Sequence, residues 1–290
     1  MSPRARHPFP EPLVRHLRCP VCGLGLALDE PALRCASGHS FDLARQGYVN
    51  LATGSALQEN ADTAAQVEAR EAFLAGGHYR PLAEALADRA AQALGLDAEG
   101  RLVVELGAGT GYYLARVLDR AAGSVGLALD LSKYAARRAA RAHPRMGAVV
   151  ADVTEALPLA TGCAALVLSV FAPRHASEIH RVLGEGASLL VASPGARHLQ
   201  ELIEPLGLLK VEPEKQTRLR SQLEPLFVPE QETALELALR LSRSEVLSLA
   251  SMGPSARHVE EAALRGRIEA LEEPCLVTAS LTVSVFRRRA

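Results

Sequence analysis

The sequence predicts an α/β protein in which a largely parallel sheet carries helices on both faces, with a small metal-binding module in front of it. Three observations lead to this fold class. From about residue 80, short apolar runs alternate with helical patterns, as in successive βαβ units. A glycine-rich loop at 107–111 directly follows the first of these runs. Two closely spaced pairs of metal-ligating residues lie further upstream, between residues 19 and 39.

The composition is that of a globular protein of moderate size. The chain has 290 residues, 48% of them hydrophobic, which suits one sizeable domain plus a small module. Its formal net charge of −1 neither supports nor excludes nucleic-acid binding. The start of the sequence lacks the apolar stretch of a signal peptide, and no apolar run is long enough to span a membrane. Five unevenly spaced cysteines argue against a disulfide framework, so we expect a cytoplasmic protein.

The N-terminal module, residues 1–40, is predicted to be loop-like and to hold the metal ligands. Two residues separate Cys19 from Cys22, three separate Cys35 from His39, and twelve lie between the pairs. Each closely spaced pair forms a short ligand-bearing turn, a knuckle, and two knuckles supply four ligands to a tetrahedral ion. Thiolate and imidazole are ligands that zinc prefers. Four protein ligands leave no open coordination position. We therefore predict a structural zinc ion rather than a catalytic one.

A connecting segment, residues 41–80, follows the module. Within it we predict a short strand inside 41–51 and a helix over 64–74, which a Gly-Gly pair ends. Tyr79 comes just after that pair. It belongs either to a loop that covers a bound ligand or to the start of the next helix.

The main domain, residues 81–290, shows the alternation of strands and helices. The predicted strands are 102–106, 125–129, 147–151, 164–170, 187–192, 234–241 and 275–286. The predicted helices are 81–94, 111–121, 132–142, 175–183, 243–251 and 256–271. The last two strands bracket a pair of helices instead of alternating with single ones. A late pair of strands with one reversed is compatible with a mixed sheet.

The glycine loop identifies the ligand-binding edge of this domain. Strand 102–106 runs into Gly107-Ala-Gly109-Thr110-Gly111, and glycines let the backbone approach a ligand closely. One residue separates the second and third glycines, whereas the dinucleotide-binding fingerprint has two. A lysine followed by Ser or Thr is also missing after the loop, which excludes a phosphate-binding P-loop.

Three acidic residues accompany the loop. Glu105 precedes it, where an acid would repel a phosphate but suits a cofactor that carries an ammonium and a sulfonium. Asp130 ends the next strand, 19 residues after Gly111, and an acid there can accept hydrogen bonds from both ribose hydroxyls of an adenosine. Asp152 follows the third strand and would lie near the adenine amino group. The stretch 105–111 resembles the first motif of class I S-adenosylmethionine-dependent methyltransferases, with Asp130 as the second.

With both motifs in place, the chain resembles the 23S ribosomal RNA (guanine-N1)-methyltransferase family from about residue 17 to its end. The resemblance rests further on the stretches 38–42 (G-H-S-F-D), 46–51 (Q-G-Y-V-N-L), 70–82 (R-E-A-F-L-A-G-G-H-Y-R-P-L), 171–173 (F-A-P) and 193–199 (S-P-G-A-R-H-L). It implies a class I methyltransferase fold, a Rossmann-like mixed seven-stranded sheet with a small N-terminal zinc-binding module.

The resemblance also implies ligands and partners. S-adenosylmethionine would be held by Tyr79, Gly109, Thr110, Asp130 and His198, with Glu105, Gly107, Gly111 and Asp152 added from the motif itself. Zinc would be held by Cys19, Cys22, Cys35 and His39. The substrate would be a guanine in a hairpin of 23S rRNA near the macrolide-binding region of the exit tunnel. One subtype of the family confers macrolide resistance, and the family suggests a homodimer.

The chemistry of guanine N1 asks for further residues. The base must leave its stack to reach the cofactor, and N1 must lose a proton. Asp152, His198 and His175 are the candidates for the catalytic base. Phe171 follows the fourth strand, where it is either a stacking platform for the base or a core aromatic.

The zinc module is interpreted as the part that grips the RNA hairpin, since Arg15, Arg18, Arg34 and Arg45 surround it. A purely structural brace is the other interpretation. The alternative for the whole chain is a small-molecule S-adenosylmethionine-dependent methyltransferase with a structural zinc site.

Overall fold

A computed structural model describes residues 9–53, 61–210, 215–253 and 260–290 of the chain. The strands are β1 (Leu26–Asp29), β2 (Ala32–Cys35), β3 (Ser40–Asp42), β4 (Tyr48–Asn50), β5 (Leu102–Leu106), β6 (Val125–Asp130), β7 (Met146–Val150), β8 (Ala164–Val170), β9 (Leu183–Pro194), β10 (Phe227–Leu241) and β11 (Cys275–Arg288). The helices are α1 (Glu11–Val14), α2 (Ala64–Ala75), α3 (Arg80–Leu94), α4 (Tyr112–Arg120), α5 (Lys133–Ala142), α6 (Ala176–Val182), α7 (Gln200–Leu206), α8 (Lys215–Leu223), α9 (Arg243–Ser251) and α10 (Glu261–Glu269).

The main sheet has the order β10-β11-β9-β8-β5-β6-β7-β4. The six strands from β9 to β4 are parallel, whereas β11 runs antiparallel to both β9 and β10. The mixed sheet is thus confirmed, but its strand number is larger than the predicted seven. The eighth strand is β4 from the connecting segment, which pairs with β7 at the edge of the sheet.

The two faces of the sheet carry different partners. One face buries apolar side chains of α2, α3, α4, α5, α7, α9 and α10. The other face packs against α1, α6 and the N-terminal module, whose residues Leu17, Leu26 and Leu33 share one buried cluster with strands β5 to β9. Burying both faces is what a mostly parallel sheet requires, and it explains why every residue of β5 and β7 is buried.

The N-terminal module is a three-stranded antiparallel sheet in the order β1-β2-β3, where the sequence predicted only loops. These strands have three or four residues each, too few for a periodic pattern to reveal them. The module is joined to the segment after β7 by backbone hydrogen bonds. Arg18 N–H donates to the carbonyl of Pro158 (2.9 Å), and Ala160 N–H donates to the carbonyl of His16 (2.8 Å).

Several element bounds differ from prediction. Helices α1, α7 and α8 were not predicted, and strands β9 and β10 begin four and seven residues earlier than expected, at Leu183 and Phe227. The predicted helix 256–271 appears as α10, and its first residues lie outside the described part of the chain. None of the helices in the described ranges combines the length and apolarity that crossing a membrane requires.

Candidate functional site

The four predicted zinc ligands meet at one end of the small N-terminal sheet. The ligand atoms of Cys19, Cys22, Cys35 and His39 all lie within 4.8 Å of one another. Cys19 and Cys22 belong to the turn that precedes β1, Cys35 ends β2, and His39 immediately precedes β3. Pairing of β2 with β1 and β3 therefore brings together two knuckles that are distant in sequence.

The spacing of these atoms fits a tetrahedral zinc ion. With Zn–S bonds of about 2.3 Å and a Zn–N bond of about 2.0 Å, the edges of the tetrahedron are about 3.8 Å (S to S) and about 3.5 Å (S to N). The structure gives 3.6 Å between the Sγ atoms of Cys22 and Cys35. Nδ1 of His39 lies 3.6 Å from Sγ of Cys19 and 3.4 Å from Sγ of Cys35. Nδ1 is thus the ring nitrogen that would bind the metal.

The arginines around this module are not equivalent. Arg34 forms an exposed ion pair with Asp29 (3.0 Å), which offsets part of its charge. Arg18 donates through NH1 to the carbonyls of Arg15 and Leu17 (3.1 and 2.9 Å), and Nε of Arg15 donates to His16. Among the predicted contacts to RNA, Arg34 shares its charge with an exposed carboxylate, whereas Arg15 and Arg18 have no carboxylate partner among the described residues.

The glycine loop lies at the carboxyl edge of the main sheet, between β5 and α4. Gly107, Gly109 and Gly111 have φ of 62°, 54° and 77°, a region that side-chain-bearing residues rarely adopt. A Cβ on Gly107 would lie 2.6 Å from Cβ of Ala172, and one on Gly111 would lie 3.0 Å from Sδ of Met146. The loop is thus a close-packed turn that only glycine permits, with Thr110 buried within it.

Asp130 holds this loop from the end of β6. Its Oδ2 accepts a hydrogen bond from Gly109 N–H (2.7 Å), and its Oδ1 accepts one from Ser132 N–H (2.8 Å). The backbone hydrogen bond from Ala108 N–H to the carbonyl of Leu129 (3.0 Å) adds to the same junction. The predicted ribose-binding acid and the predicted loop therefore lie side by side.

Glu105 lies beneath the loop rather than on its open surface. The side chain is 1% exposed, and its Oε2 accepts a hydrogen bond from Leu114 N–H (3.1 Å) in the first turn of α4. Burial, with the charge of Asp130 nearby, raises the pKa of Glu105 to about 8. This placement supports a role in holding α4 against the loop. Any effect on a cofactor ammonium would act through the loop and not by direct contact.

Three aromatic rings line the edge next to the glycine loop. The ring of Phe171 lies 6.2 Å from the ring of Tyr79 and 6.2 Å from that of His198, centroid to centroid. Tyr79 is the N-cap residue of α3 and is buried, so the interpretation as the start of a helix is the one that the structure supports. Phe171 is 42% exposed and has φ of 55°, which excludes a core role and leaves its ring open to a partner.

His198 closes this group from the loop after β9. Its Nδ1 is buried and has no hydrogen-bond partner among the described residues. Burial lowers the pKa of His198 to about 4, so its imidazole is uncharged at neutral pH. A buried polar atom without a partner is costly, and a bound ligand that supplies the partner would remove that cost.

Asp152 lies apart from the aromatic group. It follows β7, which is three strands away from β8, a separation of about 14 Å at ~4.8 Å per strand. Its Oδ1 accepts hydrogen bonds from the N–H and the hydroxyl of Thr154 (2.9 and 2.6 Å). The position favours the predicted adenine contact over the predicted catalytic role beside Phe171.

Two arginines that the sequence did not single out also border the site. Arg70 of α2 lies against the glycine loop, since a Cβ on Gly109 would be 3.3 Å from its guanidinium. It pairs with Asp62 (2.6 Å) and donates to the carbonyl of Met252 (2.9 Å). Arg174 follows Phe171 and donates to the buried Ser169 hydroxyl (3.2 Å). The contact of Arg70 with Met252 joins segments 182 residues apart, and the contact of Arg174 with Ser169 depends on how the chain turns after β8, so neither follows from a sequence pattern.

Comparison with known proteins agrees with both motifs. Residues 17–52 match the family model described as "RlmA, N-terminal", a zinc ribbon, and residues 103–192 match a methyltransferase domain. The chain is 50% identical over 290 residues to a protein of Micromonospora griseorubida that is provisionally named a 23S rRNA (guanine-N(1)-)-methyltransferase, with 95% of this chain and 98% of the relative covered.

It is also 47% identical over 275 residues to the 23S rRNA (guanine(748)-N(1))-methyltransferase of Streptomyces fradiae, with the same coverage of 95% and 98%. The similarity thus extends through the zinc ribbon, the connecting segment and the methyltransferase domain. The chain belongs to the 23S rRNA (guanine-N1)-methyltransferase family.

Proposed function

We propose that this protein transfers the methyl group of S-adenosylmethionine to N1 of a guanine in a hairpin of 23S rRNA. The observation that carries the proposal is the exposed ring of Phe171 beside the glycine loop, Tyr79 and His198. A flat ring at this edge offers a stacking surface to a base that has left its helix. The relatives described above supply the identity of the base.

The cofactor site would be formed by the residues at the carboxyl edge of β5 to β7. The glycine loop would let the protein backbone approach the cofactor closely. Asp130 would accept hydrogen bonds from the ribose hydroxyls, and Asp152 would reach the adenine. When bound, S-adenosylmethionine supplies an electrophilic methyl group on a sulfonium. His198 has an uncharged imidazole and an Nδ1 that no described residue contacts by a hydrogen bond, and it would form one with the cofactor or the acceptor.

The reaction replaces the proton on guanine N1 with a methyl group. The N1–H proton leaves, the N1 lone pair forms a bond to the methyl carbon, and the carbon–sulfur electron pair remains on sulfur. The products are N1-methylguanine, S-adenosylhomocysteine and a proton. His198 is a poor acceptor for that proton because its pKa is about 4, and Asp152 lies near the other end of the site. We infer that the proton passes to solvent and that the chain's contribution is positioning.

The S. fradiae relative is named for guanine 748, and 98% of its length is covered by this chain. We propose the same guanine as the target, with reduced macrolide susceptibility of the methylated ribosome as its consequence. A cytoplasmic location, where ribosomes lie, and a homodimer belong to the same proposal. The homodimer is supported by the family resemblance alone and is tested by the solution mass of the zinc-loaded protein.

The decisive experiment combines activity with position. Zinc-loaded protein is incubated with labelled S-adenosylmethionine and protein-free 23S rRNA, and methylated sites are then mapped by reverse transcription. A methyl at guanine N1 blocks base pairing, so we expect label in the RNA and one new stop in the target hairpin. Label without a stop would place the methyl off the pairing edge. Cofactor binding without transfer to RNA would favour the small-molecule methyltransferase.

A further inference from the structure

Arg174 is a charged side chain at the sheet edge that carries Phe171, and no carboxylate of the described residues pairs with it. It lies three residues after Phe171, in the segment that leads from β8 to α6, and is partly buried. Its one hydrogen bond among the described residues goes from NH1 to the hydroxyl of Ser169 (3.2 Å), a neutral side chain that is itself fully buried.

The missing counter-charge separates Arg174 from arginines nearby. Arg181 of α6 is paired with Glu178 at 2.7 Å, and Arg70 beside the glycine loop is paired with Asp62 at 2.6 Å. Arg174 forms no ion pair with any carboxylate in the described ranges. Burial lowers the pKa of its guanidinium, since the charge is withdrawn from water without compensation.

The side of the sheet on which Arg174 lies indicates which ligand it could contact. Side chains alternate along β8, so Ser169 shares a face with Val167. Val167 belongs to the buried cluster that also contains Leu17, Cys19 and Cys35 of the zinc ribbon. Because its guanidinium reaches Ser169, Arg174 lies on the ribbon side of the sheet, at the edge that carries Phe171. An RNA strand that contacts the ribbon and presents a base to Phe171 would pass this side chain.

We propose that Arg174 forms an anion-binding subsite for the target nucleotide, in which its guanidinium contacts an anionic oxygen of the bound RNA. The inference rests on the proposed function for its choice of ligand. Two oxygens of the nucleotide have this chemistry. One belongs to the phosphate that flanks the extruded base, and the other is O6 of guanine, which gains charge when N1 loses its proton. A desolvated guanidinium is a strong partner for either.

The first measurement is RNA affinity. Zinc-loaded full-length protein is titrated with a transcript of the target hairpin over a range of salt concentrations, using the wild type, Arg174→Gln, Arg174→Lys and Arg174→Met. If the partner is a phosphate, we expect Arg174→Gln to weaken binding about ten- to a hundredfold. The negative slope of log K against log salt should become shallower by about 0.7 in Arg174→Gln. Arg174→Lys should restore part of the affinity.

The second measurement is single-turnover methyl transfer to the same transcript as a function of pH. If the partner is O6, affinity for RNA stays near that of the wild type, whereas the rate of Arg174→Gln falls at neutral pH. The increase of this rate with pH should shift to more alkaline values, because the variant lacks the guanidinium that lowers the pKa of N1 in the bound guanine. Arg174→Met, which also removes the charge, should behave in the same way.

The matched control is Arg116→Gln on the exposed surface of α4, where the side chain pairs only loosely with Asp119 (3.8 Å). Affinity for S-adenosylhomocysteine verifies that each variant is folded. The inference is overturned if Arg174→Gln and Arg174→Met both match Arg116→Gln in RNA affinity, salt slope and rate. The affinity measurement needs no turnover, so a wild type that binds the hairpin but methylates nothing would contradict the proposed function, and the affinities and salt slopes of the Arg174 variants would then decide the role of Arg174.

Discussion

The carboxylate of Asp130 accepts a hydrogen bond from the backbone N–H of Gly109 at 2.7 Å, and thereby joins the end of β6 to the glycine loop that follows β5. The other oxygen of the same carboxylate accepts from Ser132 N–H, at the start of α5. One side chain therefore fixes two backbone segments at the edge where the cofactor is proposed to bind. An acid predicted only to contact ribose also shapes the loop before the ligand arrives.

Replacing Asp130 by alanine is expected to weaken cofactor binding strongly. The substitution removes the proposed ribose contacts and both hydrogen bonds to the backbone, and a hydrogen bond to a charged group contributes about 1.5–3 kcal/mol. We expect the Kd for S-adenosylhomocysteine, measured by calorimetry, to rise about a hundredfold or more. Asp88→Ala, an exposed acid on α3, is the matched control. An unchanged Kd for Asp130→Ala would place the adenosine elsewhere.

Loss of zinc is expected to separate RNA binding from cofactor binding. Cys22→Ala removes one of the four ligands, whereas Cys163→Ala removes a cysteine that lies outside the cluster. Because a small ribbon depends on its metal for stability, Cys22→Ala should lose zinc and affinity for the hairpin. Binding of S-adenosylhomocysteine should persist, since α3 and α4 pack on the opposite face of the sheet. Metal analysis and the two titrations test this; retention of hairpin binding without zinc would make the ribbon a brace only.

Glu105 is expected to make stability depend on pH. Its pKa is about 8 in the folded protein against an ordinary value of 4.5, so the folded state keeps a proton that the unfolded chain releases between these values. Its contribution to stability is complete below about pH 4.5 and is lost as the pH rises through about 8.

Relative to wild type, Glu105→Gln should therefore gain stability between pH 5 and pH 8, by at most about 1.4 kcal/mol per pH unit. Urea unfolding of zinc-saturated protein at several pH values measures the difference. The exposed Glu84→Gln supplies the comparison and should show no such trend. A difference that stays constant from pH 5 to pH 8 would mean that Glu105 is ionised throughout.

Phe171 is expected to matter for the RNA and not for the cofactor. Stacking of a base on an aromatic ring contributes about 1–3 kcal/mol, so Phe171→Ala should lower kcat/KM for the hairpin by roughly ten- to a hundredfold. Phe171→Trp keeps a flat surface and should retain most of the activity. Leu96→Ala, a fully exposed apolar residue in the loop before β5, is the control. Equal kcat/KM for Phe171→Ala and the control would remove the stacking role.

The elements that sequence patterns predicted well are those whose both faces are buried. Strands β5 and β8 match their predicted bounds because mostly apolar runs end at the glycine loop and at the segment that leads into Pro173. Strand β10 was predicted too short, since Pro229 and the charged residues after it read as a loop. They lie in a strand at the sheet edge, where only one neighbour must be paired and proline is tolerated. Helix α7 escaped prediction because it has seven residues and contains Pro205.

The candidate site divides in the same way. Local spacing was enough to predict the zinc ligands, the glycine loop and Asp130, because each ligand pair and the loop is a short motif and Asp130 ends the strand that follows the loop. It was not enough to show that Glu105 faces α4, that Asp152 lies three strands from Phe171, or that Arg174 has no carboxylate partner within the described ranges. Those properties depend on strand order and on which side chains meet across the sheet.

The zinc ribbon shares a buried cluster with the main sheet and is hydrogen-bonded to the segment that follows β7. The ribbon is therefore fixed to the main domain rather than tethered to it, and the fold sets the distance between its zinc-binding turns and Phe171. Under the proposed function, with the ribbon holding the stem, an RNA hairpin would be a substrate when the distance from its stem to the extruded base equals that distance. The length of the stem above the target, as much as the identity of the base, would then decide which guanine is methylated.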